Sequence, residues 1–527
     1  MRSAANATFQ QRWTSAVAQR GGEPFLVWQG DDGVITTWTY AQFDAVVTQI
    51  AGTLWTAGVR PGRAVHLALT SCPAFVGVWL AVSRLGAWMV PSDPKATAAE
   101  MAGHVRRTDA VVGVCATERH DVYHAMTQQV GEAAPAVIVV DESDVAMTPL
   151  CAGGSGPETW PTVRPADRLA VMFTSGTTSA PKGVDLTQAN YAFAGDVMAA
   201  AASLSAGDRQ LVVLPMFHAN AQYYSFASAI SVGASVAMVP TFSASRFRTQ
   251  AAELAATHAS LFAAPIRMIL ARDPGGQVTG LALRHVWFAQ NLTSDQYEQF
   301  AALVGCRPRQ LYGMTETLPA VITQRALDTS CDLMGEQTLG CAVEVVDPAT
   351  GQPADEGAVG DLLVGGVPGV TLFAGYLADP TTTDAAIVSR RDDGFIWFRT
   401  GDRAIVEAGG RFRFAGRSGD VLKVAGENVS VVEVEAVLAE HPDVFEVAVV
   451  GEPDPIRDEV PVAYVVPRPG IAFDTERFLS WAGERLAPAK RPRTAYLVDE
   501  LPRTSVGKIR KFMLRTAPSA SADGPTP

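Results

Sequence analysis

Between residues 37 and 140 the chain alternates short apolar runs with helical stretches, and this rhythm limits its fold more than any other feature. Phe43, Val46, Val47, Ile50, Leu54 and Trp55 recur at helical spacing behind Thr39, a residue suited to cap a helix. Pro61-Gly62-Arg63 turns into an apolar run at 64–69. Residues 73–85 read as a second helix and 86–90 as the next strand, with further short runs at 111–115 and 136–140. Strands and helices trading places this quickly imply a parallel sheet with crossover helices, because parallel neighbours need a helix-length connection.

At 527 residues the chain exceeds one core, which predicts two to four domains. Hydrophobic residues make up 48% and charged ones 18%, a globular rather than a disordered balance. The net charge of −12 argues against nucleic acid as the main partner. Lysine occurs only at 95, 182, 423, 490, 508 and 511, in a chain otherwise arginine-rich. Where lysine persists, a compact phosphate contact is the first role to test. The six cysteines are scattered without a Cys-x-x-Cys pair, so they read as reduced thiols in a cytoplasmic protein. Residues 1–20 lack the apolar core of a signal peptide, and Ser83 with Arg84 interrupts the apolar stretch at 75–90, so no membrane span is expected.

The chemistry is densest at Thr174-Ser-Gly-Thr-Thr-Ser-Ala-Pro-Lys-Gly183, where five hydroxyls and two glycines share ten positions. It follows an apolar strand-like run at 168–173. Backbone N–H groups, the hydroxyls of Thr174, Ser175, Thr177 and Thr178, the close approach allowed by Gly176, and the charge of Lys182 together suit an anionic ligand. The spacing excludes a Walker A loop, since Gly183 and Val184 follow the lysine where a Ser or Thr would meet magnesium. A second candidate is Pro308-Arg-Gln-Leu-Tyr-Gly-Met-Thr-Glu-Thr317. Tyr312 offers a face to a base, Gly313 permits close approach, and Thr315 with Glu316 supplies a hydroxyl and a Mg²⁺-preferring carboxylate. Asp402 in Arg399-Thr-Gly-Asp402, Gly416-Arg-Ser-Gly-Asp420, and Pro502-Arg-Thr-Ser-Val-Gly-Lys508 complete the series.

These five motifs, in this order, resemble the adenylate-forming superfamily of acyl-CoA synthetases, peptide-synthetase adenylation domains and luciferases. The likeness spans essentially the whole chain and is nearest to the crotonobetaine/carnitine-CoA ligase-like branch. It implies an α/β fold: a large N-terminal domain of parallel and mixed sheets with crossover helices, plus a small mobile C-terminal α+β domain. The expected limits are 1–416, 417–516 and a disordered tail at 517–527. It implies ATP-dependent conversion of a carboxylic acid to acyl-AMP, then transfer to CoA. Lys508, Thr315 and Glu316 would be catalytic, with Glu316 on Mg²⁺. Thr174, Ser175, Gly176, Thr177, Thr178, Lys182, Asn291, Tyr312, Gly313, Asp402 and Arg417 would hold the nucleotide. Phe217, His218, Asn220, Tyr223, Tyr224, Met314 and Leu318 would line the acyl pocket, with Gln222 in the same wall. Gly419, Lys423, Gly426 and Glu427 would serve the hinge and the CoA thiol.

No aspartate that could anchor an amino group stands at 214–225, so a medium or bulky hydrophobic acid is expected rather than an α-amino acid, and an acid of secondary metabolism suits the wall. Three departures from the family pattern stand out. Gly419 replaces the usual Asp or Lys near the pivot. Phe288-Ala-Gln-Asn-Leu292 replaces a Gly-rich loop, and Gln188 replaces a frequent histidine. Gly419 keeps open a rival reading: an adenylating enzyme that hands acyl-AMP to a separate thioesterifying enzyme or carrier protein. A catalytically silent nucleotide-binding relative is the alternative from another class.

Overall fold

The computed structural model describes residues 7–174, 181–273, 275–326, 328, 330–417, 421–424, 427–455, 457–503 and 509–514, with backbone alone for Val421, Lys423, Glu427, Asn428 and Phe512. The expected tail at 517–527 lies outside them. The chain forms two compact units. The first comprises Met1–Gln290, Asp295–Glu344 and Leu363–Arg399; the second comprises Asn291–Ser294, Val345–Leu362 and Thr400–Pro527.

The first unit holds two sheets with helices between and around them. In one, Arg309–Tyr312, His285–Ala289, His258–Phe262, Arg209–Val212, Ser235–Met238 and Pro24–Gln29 run parallel in that spatial order. In the other, Arg168–Thr174, Trp88–Pro91, Ala64–Ala68, Val112–Ala116 and Ala136–Val140 run parallel, while Lys182–Thr187 and Gly375–Tyr376 extend it antiparallel. The expected parallel sheet with crossovers is therefore present.

Thr39 caps the helix Tyr40–Thr56, its side chain accepting from the Gln42 N–H while Gln42 reciprocates, a capping box that fixes the start of the helix. The apolar stretch that raised the membrane question is the helix Pro73–Arg84, buried from Pro73 to Ser83. Its 12 residues are too short to span a bilayer, and no helix among the described residues is long and apolar enough to do so. Its Trp79 stacks on Phe9 at 5.0 Å and meets Tyr191 and Phe226, joining four helical segments in one aromatic core. Gln188, the unusual residue, is wholly buried here. Its amide donates to Ser83 Oγ at 3.1 Å, and its carbonyl accepts from the Gln10 N–H at 3.0 Å, so it serves as a structural tie.

The second unit is built on the hairpin Val444–Asp454 with Asp458–Pro467, flanked by Val421–Val424 and Thr494–Leu497. Alternate residues feed two cores. Val447 and Val449 pack with Val434, Leu438 and Phe478, while Ala448 and Val450 pack with Tyr464, Leu501 and Leu514. Glu427–Ser430 is a strand, and the helix that follows it is Val431–Leu438. Ser430 caps it by accepting from the Glu433 N–H, and a capping residue takes extended geometry, which postpones the first turn.

Candidate active site

The hydroxyl-rich loop is carried by a hairpin. Thr174 sits opposite Lys182 across the antiparallel pair, and its hydroxyl donates to the Lys182 carbonyl at 3.5 Å. Ser175, Gly176, Thr177 and Thr178 lie outside the described residues. Arg107 braces the base of the loop: its guanidinium donates to the Pro181 carbonyl at 2.5 Å and lies 4.8 Å from the Phe173 ring centroid. His104 stacks on the same ring at 4.1 Å. Behind it, His104 Nδ1, Ser92 Oγ, His66 and the Tyr123 hydroxyl form one chain with spacings of 2.7, 2.9 and 2.8 Å. Burial lowers His104 to about 4 and His66 to about 3, so both rings are neutral near pH 7.

The lysine of this loop and the Tyr-Gly-Met-Thr-Glu turn meet through a residue that no motif marked. Gly375–Tyr376 pairs with the Lys182 strand, Tyr376 opposite Val184. Lys182 Nζ lies 4.8 Å over the Tyr376 ring, and the Tyr376 hydroxyl donates to Glu316 Oε1 at 3.1 Å. Burial, reinforced by the Glu316 charge, pushes the phenol far above its ordinary range, so it remains a donor. Glu316 is buried, and its carbonyl accepts from the Phe373 N–H at 2.9 Å. The turn is fixed internally. Met314 N–H donates to Thr317 Oγ1 at 3.0 Å, and Leu318 ends it in the left-handed region at φ 66°, a costly conformation for a non-glycine. Tyr312, Gly313, Met314 and Thr315 are half-buried.

The expected acyl wall divides into two layers. Asn220–Ala227 forms a π-helix, a geometry concentrated at functional sites. Tyr224 faces the turn, since a Cβ on Gly313 would come within 2.9 Å of its hydroxyl. Tyr223 backs the wall rather than lining it: it is wholly buried, its hydroxyl directed at Met172 sulfur and its ring edge-on to Tyr191. Gln222 is also internal, bonded to Tyr191 and the Met216 carbonyl. Leu318 is buried with them. Successive helical residues point in different directions, so adjacent residues cannot all face one ligand. Phe217 and His218 remain half-buried, with His218 edge-on to Phe262 at 5.9 Å.

In the second unit, Asp402 and Arg417 face each other across the hairpin of Ile396–Glu407 and Arg411–Arg417. Arg417 Nε donates to Asp402 Oδ1 at 3.0 Å, and Thr400 Oγ1 accepts from the Asp402 N–H at 3.1 Å. Asp402 is buried while the Arg417 side chain is 49% exposed, leaving guanidinium N–H groups in reach of solvent. Asn291 is exposed and follows Gln290, whose φ is 75°. Gly419, Gly426 and Lys508 lie outside the described residues, as do the side chains of Lys423 and Glu427. Close to Val424 is a recess of about 410 Å³ lined by Arg457, Arg491 and Arg493 with Pro461, Pro488 and Pro492. Sequence alone does not show that Arg457 joins Arg491 and Arg493 here, because more than thirty residues separate them in the chain.

An α/β unit with a second, smaller unit defines a class, and comparison with known proteins specifies it. The AMP-binding enzyme family matches residues 13–377, and the AMP-binding enzyme C-terminal domain matches 433–508. The chain belongs to the AMP-binding enzyme family. A crotonobetaine/carnitine--CoA ligase of Escherichia coli O139:H28 is 31% identical over 518 residues, covering 96% of this chain and 98% of that protein. The anthranilate CoA ligase AuaEII in complex with anthranoyl-AMP superposes with TM-score 0.87 at 23% identity, covering 97% of both chains. ATP-bound MatB from Rhodopseudomonas palustris superposes with TM-score 0.85 at 25% identity, covering 97% of this chain and 98% of that one. The protein is an acid–thiol ligase of the AMP-forming acyl-CoA type, using ATP and CoA.

Proposed function

We propose that this ligase activates a medium or bulky, largely hydrophobic carboxylic acid, with the site residues in the following roles. The acid's carboxylate oxygen attacks the α-phosphorus of ATP and pyrophosphate leaves with the bonding pair; the CoA thiol then attacks the acyl carbon and AMP leaves. Both steps bring anions together, so charge neutralisation and positioning supply the catalysis. Lys182 and the 174–178 loop take the β- and γ-phosphates, Thr315 the α-phosphate, and Tyr312 and Asn291 the base. Asp402 accepts from the ribose hydroxyls and Arg417 orients it. Lys508 bridges the carboxylate and the α-phosphate.

One observation carries this reading: the Lys182–Tyr376–Glu316 chain, which joins two motifs more than a hundred residues apart at one place. A single buried carboxylate fits Mg²⁺, which binds through one or two carboxylates and substrate phosphates. When bound, Mg²⁺ would neutralise charge on the departing phosphates, with Glu316 holding it.

Phe217, His218, Asn220, Tyr224 and Met314 receive the acid, and an acid of bacterial secondary metabolism suits that aromatic and amide surface. Lys423, Gly426 and Glu427 serve the thiol, and the arginine-lined recess beside Val424 suits the phosphates of CoA. We retain 1–416 and 417–516 as the functional division, with Gly419 as the pivot. The thiols of Cys72, Cys115, Cys151, Cys306 and Cys341 are outside any disulfide, which supports a reducing, cytoplasmic setting.

Acid-dependent ATP–pyrophosphate exchange across a panel of carboxylic acids tests the proposal. Exchange is expected with at least one aromatic or branched acid, and Lys508→Ala is expected to lower it about a hundredfold or more. Near-normal exchange in that variant removes the Lys508 assignment. Gly419 supports the second reading, transfer to a separate thioesterifying enzyme or carrier protein, which predicts acyl-AMP accumulating when CoA is added.

A further inference from the structure

Beneath the π-helix, one face of the parallel sheet carries a set of buried polar atoms with no hydrogen-bond partner. The register His258↔Gln210, His258↔His285 and Ser260↔Trp287 puts these five side chains on the same face, because side chains alternate along each strand. Gln210 Oε1, Ser260 Oγ, His285 Nε2 and Trp287 Nε1 are all unpartnered, and their residues are at most 3% exposed. The π-helix lies over this face, since Gln210 Nε2 donates to the Tyr224 carbonyl and to Ser228 Oγ, each at 3.3 Å. Its first residue, Asn220, is 3% exposed, and its side-chain Nδ2 is a further unpartnered donor. Asn220 N–H donates to His218 Nδ1 at 3.4 Å, and His218 meets Phe262, the last residue of the Ser260 strand. Phe262 marks the carboxyl ends of the strands, where open α/β sheets bind their ligands. Ser260 and Trp287 lie two residues, roughly 7 Å, further along the sheet.

Isolated orphan atoms occur in many proteins. Four on neighbouring positions of one sheet face, with a fifth on the helix packed against it, form a donor and acceptor set suited to a bound polar group, because each costs free energy until bonded. The face offers hydroxyl, indole and amide donors and no carboxylate. Asp208, at its far edge, is already engaged by Ser205, Thr257 and Arg284. Burial and the Arg309 charge keep His285 neutral.

We propose that the acid activated here carries an uncharged oxygen acceptor (carbonyl, ether or hydroxyl) at the end remote from its carboxylate, bound by Trp287, Ser260 and Asn220. This rests on the placement of the acid against residues 217–224. A quaternary ammonium or other cationic end is disfavoured on this floor, because its unpartnered donors cannot bond a cation and it offers no free carboxylate to pair with one.

The test compares near-isosteric acids in ATP–pyrophosphate exchange: 4-acetylbenzoate with 4-isopropylbenzoate, 6-oxoheptanoate with 6-methylheptanoate, and 4-trimethylammoniobenzoate with 4-tert-butylbenzoate. In wild-type enzyme each keto acid is expected to exceed its hydrocarbon partner about tenfold or more in kcat/KM, since leaving the site's donors unpaired penalises the hydrocarbon. The cationic acid is expected to fall below its partner. Ser260→Ala and Trp287→Phe each shrink the keto preference toward unity. Equal or reversed preference in wild type, or a preferred cation, overturns the inference while leaving acid activation standing. Exchange with none of the six acids removes both.

Discussion

The two units secure their candidate residues by different means. In the first, Lys182, Tyr376 and Glu316 are held by sheet pairing and buried contacts, and the Glu316 carboxylate is shielded from water. In the second, Asp402 and Arg417 depend on the register of one hairpin, and the arginine is half in solvent. Buried charge must be neutralised on the spot, whereas an exposed guanidinium loses little when its partner is occupied elsewhere. The first arrangement suits a site that is ready before ligand arrives; the second suits contacts that are made and released.

Acid breaks this comparison hardest. His66, His104, His258 and His285, all in the first unit, are depressed by burial. His441 is the one histidine of the second unit and is also lowered by burial. Because the folded pKa lies below the unfolded value near 6.5, the unfolded chain takes up protons first as pH falls. Stability from these rings is complete above about pH 6.5 and is lost on the way down toward 4 for His104 and 3 for His66. At pH 5, His66 and His104 alone are expected to cost about 4 kcal/mol together. Hydrogen exchange at pH 7 and pH 5 should show protection falling in strands such as Ala64–Ala68 before it falls in Asp458–Pro467; simultaneous loss would contradict the asymmetry.

Glu316→Gln comes next. Removing a buried carboxylate beside the phosphates is expected to lower acid-dependent exchange about a hundred- to a thousandfold, with a rising Mg²⁺ requirement. Melting temperature should change little, because the amide can still accept from Tyr376. A variant with normal rate and normal Mg²⁺ dependence would place the metal elsewhere.

These residues differ in how far the sequence revealed them. The helix behind Thr39 was legible because its cap and its apolar spacing are local. The crossover architecture was legible because short apolar runs and helical stretches alternate. Tyr376 was invisible because its role comes from pairing with Val184, almost two hundred residues earlier, and two-residue strands leave no pattern. Nothing local marks Arg107, because its role appears only when Pro181, more than seventy residues on, is brought against it. Adjacency in sequence places Tyr223 and Gln222 beside Tyr224 in the pocket wall but hides direction, and only the π-helix shows which ring faces Gly313. The unpartnered face of Ser260 and Trp287 needs strand register, which no single strand's sequence contains.

Tyr376→Phe sharpens the comparison inside the first unit. It removes one hydrogen bond to a charged acceptor and retains the ring under Lys182. A loss of about tenfold in kcat for exchange is expected, with a smaller change in ATP KM. A purely structural role predicts instead a lower melting temperature with kinetics intact. Rescue distinguishes the two further, since raising Mg²⁺ should recover part of the Tyr376→Phe deficit by pulling Glu316 into place.

Arg417→Lys is the smallest effect and examines the other half of the contrast. The arginine side of its ion pair with the buried Asp402 is half exposed, and screening there limits the pair to about 1 kcal/mol. Lysine retains the charge but loses the planar fork that can serve Asp402 and a ligand together. ATP KM is expected to rise about two- to fivefold, with kcat changing less. An increase beyond about fiftyfold would mean that Arg417 is desolvated when ligand binds, and that the second unit's site is as enclosed in action as the first unit's is at rest.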